Sequence, residues 1–232
     1  MQEWVTSASL SGKTPRTLFL GQTMKRNSVP VVWMSVAFCV ALALATSVLA
    51  VMGTDAKSIS VALRLTARWS FLLFWMAYAG RAMSELFGPA LALLGRRGRE
   101  FGLAFAAAHL VHIGLVVWLY QISTSPPLSG SLFVFFTIGI VWTYLLATLS
   151  FGGLSKALGP VGWRLVRILG LNYILLAFAR DFVFSVVHSG VAHEGVWHFV
   201  AYVPFAAMSV IAPLLSFAAA AHRRWAMRQV AA

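Results

Sequence analysis

Six apolar runs, each about as long as a bilayer is thick, follow one another along this chain, and most charges sit in the gaps between them. A helix rising 1.5 Å per residue needs about 20 apolar residues to cross a hydrocarbon core of roughly 30 Å. The pattern predicts six such helices, over residues 30–53, 69–87, 101–120, 132–151, 168–187 and 199–221. The first contains no charge and, at about 24 residues, exceeds the 7–15 of a signal-peptide core, so it reads as an uncleaved helix. The last is interrupted by Pro204 and Pro213, kinks that membrane bundles tolerate. The expected fold is an all-α integral membrane bundle: a mobile tail over 1–29, a six-helix domain over 30–221 and a basic tail over 222–232. Residues 54–68 read as a connector whose part from Ile59 on is helical and lies along the interface, and 189–197 as a short outer loop.

Composition agrees with the pattern. Of 232 residues, 60% are hydrophobic and 10% charged, with mean hydropathy +0.82. A soluble domain carries about 25% charged residues. The net charge of +12 would suggest nucleic acid in a soluble protein. Here the bases flank apolar runs, which points to lipid headgroups and membrane orientation, and no RNA motif or helix-turn-helix accompanies them. Thirteen of the eighteen lysines and arginines fall in the segments that are cytoplasmic if the N-terminus is inside. The positive-inside rule therefore places both termini in the cytoplasm. The expected location is a cell membrane, multi-pass, of the bacterial inner-membrane kind. Cys39 stands alone in an apolar run, so it forms no intramolecular disulfide and reads as a small core residue. The absence of a CxxCH pattern excludes covalent c-type haem but leaves non-covalent haem b open.

Ionisable residues at membrane depth are costly and call for a partner or a task. His109 and His112 lie in the third run, three apart and so on one helix face. Two readings stand: ligation of a haem iron, chiefly by His109, or hydrogen-bonded packing. Arg81 and Glu85, four apart, fit an ion pair; alternatively Arg81 meets a cofactor carboxylate or a lipid phosphate. Arg180 and Asp181 are adjacent inside the fifth run, as a proton or ion path or as a structural polar cluster. His188, His193 and His198, with Glu194, gather near the outer side. They could hold a metal ion, contact a quinone, or simply be solvated; their spacing matches no named zinc motif. One iron cannot take both His109, roughly 12 Å into its helix, and His188, roughly 30 Å along its own. There is no P-loop, nucleophile elbow or dinucleotide fingerprint, so flavin or nicotinamide chemistry would need another chain.

The run TARWSFLLFWMAYAGRAMSELF, then RRGREFGLAFAAAHLVH, and further on LGPVGWRLVRILGLNYILLAFARDF, resemble the ferric-reductase-like transmembrane family. The resemblance covers roughly residues 60–185 and is closest to the branch of the haem-bearing membrane subunit of periplasmic methionine-sulfoxide reductase. Arg96, Arg97, Gly102, Leu103 and His109 match its basic pair, Gly-Leu and helix with a histidine after an alanine-rich stretch; Leu158, Gly159 and Trp163 match the opening of its fifth helix. The resemblance implies an oxidoreductase component. A b-type haem would relay electrons from a cytoplasmic-side quinone or flavin donor to a partner reductase outside. The family's fifth-helix histidines are here Arg167 and Arg180, which have no lone pair to offer iron. They would instead pair with haem propionates, or the chain keeps the fold as a scaffold or transporter-like protein that has lost its haem ligands.

Overall fold

The structure is a computed structural model. It describes the backbone of residues 16–124, 128, 130–151, 154–188 and 191–230, and side chains over the same stretches except 16–28, 188–200 and 230. The helices are α1 (Arg16–Met52), α2 (Ala56–Phe87), α3 (Ala92–Arg96), α4 (Gly98–Ile122), α5 (Gly130–Ser150), α6 (Gly159–His188) and α7 (Val191–Val230), with 3-10 turns at Pro89–Leu91 and Leu154–Leu158. Among the described residues no strand occurs and six helices are long and apolar enough to cross a membrane, as the hydropathy pattern predicts.

Three boundaries differ from the sequence reading. The first helix begins at Arg16, well upstream of Pro30. The connector 54–68 is no separate interfacial piece: it is the opening of α2, a single helix of 32 residues. Asp55 starts it by accepting the Ser58 N–H at 3.0 Å, a cap that satisfies one of the helix's free donors. The next residues, Ala56–Ala79, contain neither glycine nor proline to stop it, and Ile59, Ala62, Thr66 and Ser70 form one buried stripe. Most of the expected loop 189–197 is likewise the start of α7, because the first proline of that stretch is Pro204. At 40 residues α7 is roughly 60 Å long and protrudes beyond any bilayer.

Two modes of packing hold the bundle. Ala37, Ala41 and Ala45 of α1, at a four-residue period, are buried to 3%, 0% and 3%, and Ala104 and Ala108 of α4 to 0%. Small side chains let α1, α2 and α4 lie in close contact. The remaining helices close a ring, α2 to α7, α7 to α6, α6 to α5 and α5 to α4, with α1 on its flank. Indole and phenol groups tie the ring together by donating to carbonyls on neighbouring helices: Trp69 to Ala37 (3.1 Å), Trp75 to Met208 (2.9 Å), Tyr144 to Ala106 (3.2 Å) and Tyr173 to Phe135 (3.0 Å). Thr46, Thr137, Thr143 and Thr148 satisfy their own hydroxyls on the carbonyl four residues back, as polar groups in lipid must.

The ends are sorted. Trp33 of α1 lies edge-on to Phe101 and under Arg97, Arg99 donates to the Ser150 carbonyl, and Arg223 of α7 pairs with Glu85 of α2. The basic end of the bundle therefore gathers the early turns of the first spanning segment, the ends of α2, α5 and α7 and the start of α4. At Gly88, φ of 86° ends α2, and α3 folds back so closely that a Cβ on Gly80 would stand 3.0 Å from the Leu94 carbonyl oxygen.

Candidate functional site

The site begins with two imidazoles on α4. Three residues apart, His109 and His112 stack at 5.1 Å between ring centroids and 16° between planes. His112 has a partner across the bundle: its Nδ1 lies 3.2 Å from the Thr66 hydroxyl of α2. That hydroxyl is also 2.9 Å from the Ala62 carbonyl of its own helix. The Nδ1 of His109 is buried with no hydrogen-bond partner.

Facing His109 are aromatic rings. Phe105 of its own helix lies at 5.3 Å and Phe178 of α6 at 6.2 Å. Behind them Phe71 touches Phe178 (5.1 Å), Phe182 (5.0 Å) and Phe205 (6.0 Å), and Phe74 touches Phe105 (5.3 Å). Phe71, Phe74 and Phe182 are buried to 0%, 1% and 1%. Through these rings α2, α4, α6 and α7 meet at the centre of the ring of helices.

A haem held by two imidazoles does not fit this layer. The alanine-rich face of α4 is covered by neighbouring helices, with Ala104, Ala106, Ala107 and Ala108 all buried. No described histidine faces His109 from another helix at its depth; α6 offers Phe178 there. Arg167 is exposed, and the guanidinium of Arg180 lies 4.4 Å over Phe184 of its own helix. The two are thirteen residues apart on one helix, roughly 20 Å, so they cannot grip the propionates of one porphyrin together. Among the described residues no group of three or more His, Cys, Asp or Glu is placed to hold a metal ion. The side chains of His188, His193 and His198 lie outside the described residues; the backbone puts His193 and His198 on α7 instead of a loop. Cys39 is exposed on the outside of α1, not in the core.

Two charged layers flank the phenylalanines. On the Asp55 side, Asp181 sits in the field of Arg180, Arg64 and Arg68, and the Arg68 guanidinium lies 4.8 Å over the Tyr202 ring. The Arg68 Nε is buried with no hydrogen-bond partner. Sequence reading found Arg180 and Asp181 but did not join Arg64 and Arg68 to them, because it laid that helical stretch along the interface and began the span at Trp69; their four-residue spacing was the available signal. On the basic side the expected pair forms, with Arg81 Nε 2.8 Å from Glu85 Oε1, and Arg223 joins the same carboxylate. Outside the spans, two hydrogen bonds from Ser58, hydroxyl first and backbone N–H second, hold the Asp55 carboxyl below its ordinary range.

Comparison with models of known families, with curated proteins and with solved structures finds no match for this chain.

Proposed function

We propose that this chain is a non-catalytic membrane scaffold with a ferric-reductase-like bundle, in which side-chain packing occupies the layer where that family carries haem. The observation that supports it most is the ring layer around His109: Phe178 of α6 contacts His109 and Phe105, and the wholly buried Phe71 of α2 contacts Phe178, Phe182 and Phe205 behind it. Along α2 these rings stand between the arginines at 64 and 68 and the ion pair at 81 and 85, which argues for a scaffold over a transport path. Thirteen basic residues on one side favour both chain ends in the cytoplasm, where a C-terminal reporter enzyme active only in the periplasm would stay silent.

One observation favours the runner-up, a b-type-haem electron carrier serving a partner reductase: the unpartnered, buried Nδ1 of His109 is a group a ligand would satisfy. An absorption spectrum separates the two. Monodisperse protein purified from haem-replete cells is expected to show no Soret band, oxidised or reduced. A band near one haem per chain that disappears in His109→Ala overturns the scaffold reading.

A further inference from the structure

The basic end of the bundle holds an open cavity of about 640 Å³ between α2, α6 and α7, lined by Glu85, Arg164, His222, Arg223, Arg224 and Met227. That is the size of an ordinary small-molecule site. Its charges do not cancel internally. Glu85 already takes Arg81 and Arg223. Neither Arg164 nor Arg224 pairs with a described carboxylate, and the whole chain has only six acidic residues. Two guanidiniums and an imidazole therefore converge on a cavity whose one acid is spent. Guanidinium forks match phosphate oxygens, and a phosphodiester would supply the missing charge.

The same end of the bundle exposes apolar side chains: Met227, which lines the cavity, is 65% exposed, and Trp225 on the same end of α7 is 60% exposed. Phe87 at the end of α2 is 61% exposed. Tryptophan at the end of a spanning helix marks headgroup level. A soluble phosphate would have no use for apolar side chains exposed at the same end; a lipid presents a charged head and a greasy stem at this boundary.

We infer that this cavity binds the phosphodiester headgroup of an anionic glycerophospholipid from the leaflet around the basic end. The inference does not depend on whether the centre of the bundle is free of haem.

The test uses the full chain in nanodiscs or mild detergent. Retention of phosphatidylglycerol is measured against phosphatidylcholine by native mass spectrometry, with inorganic phosphate as competitor. The wild type should retain phosphatidylglycerol preferentially, and phosphate should fail to displace it. The double variant Arg164→Gln/Arg224→Gln should bind about thirty-fold more weakly, from roughly a five-fold loss per arginine. Arg228→Gln, whose site does not line the cavity, should bind as the wild type does. If the double variant fails to fold, Arg164→Lys/Arg224→Lys replaces it: charge is kept but the fork is lost, and a weaker preference is expected. Equal retention of both lipids, or a preference unchanged by the folded variant, overturns the site. Full displacement by phosphate overturns the lipid as its ligand.

Discussion

The two sides of α4 are built on different principles. Where it packs closely on α1 and α2, small residues carry the contact: Ala104 and Ala108 are buried with Ala37 and Ala41 of α1, and Gly102 faces Ala77 of α2. Toward α6 it reaches through rings, Phe105 to Phe178 at 6.0 Å and His109 to Phe178 at 6.2 Å, with Phe105 also against Phe74 of α2 at 5.3 Å. A close contact of small residues leaves no room for anything else. Between α4 and α6 the interval is filled by the rings of Phe105, His109 and Phe178 instead. A histidine at membrane depth therefore says little until the residues opposite it are known.

Substitutions on the two sides should fail in opposite ways. Deleting a ring from the ring-filled side should have the largest effect. Phe71→Ala removes the most enclosed phenylalanine and is expected to cost about 3–5 kcal/mol in denaturant unfolding, against little for Phe133→Ala, where the ring is 49% exposed. Equal losses at the two positions would break the comparison. On the close side, adding volume should do the harm: Ala104→Leu is expected to cost about 1–3 kcal/mol, measured the same way, as no neighbour there can yield. A stabilised Ala104→Leu would show that α1, α2 and α4 are looser than described. Between the sides lies the Thr66–His112 hydrogen bond at 3.2 Å. Thr66→Val keeps the shape and drops the hydroxyl, with an expected loss near 0.6 kcal/mol and under about 2. The smallest effect belongs to the exposed cap. Because the Asp55 carboxyl titrates below its unfolded value, its contribution is present at neutral pH and is lost as the pH falls through its folded value. Asp55→Asn still caps but cannot titrate, so the acid limb of a melting-temperature profile should flatten slightly in that variant.

The six spans were legible because length and apolarity alone define them. The inside and outside of each span were not. A helix in lipid is apolar on its packed and its exposed faces alike, so periodicity carries little information about burial. That is why Cys39, in a run of uniform hydrophobicity, reads as core and proves exposed. Local pairs could be read from spacing: Arg81 with Glu85, and His109 with His112. Their distant partners could not, since Arg223 lies 138 residues from Glu85 and Thr66 lies 46 from His112. The phenylalanine layer shows both limits. Phe178 and Phe182 are visibly four apart, yet nothing in their own segment says that Phe71 and Phe105 meet them. Helix ends went astray where charge was taken to end a span, as at Arg64 and Arg68, although a helix longer than the bilayer can carry charge in its protruding turns.

The ring of Phe178 lies directly against Phe105 and His109 of α4. A benzophenone amino acid placed at position 178 and photolysed in the intact membrane tests it most directly, with the adducts mapped by peptide mass spectrometry. Adducts on α4 at Phe105 to His109 and on α2 at Phe71 to Phe74 are the predicted result. Adducts confined to lipid or porphyrin, with none on α4, would contradict it.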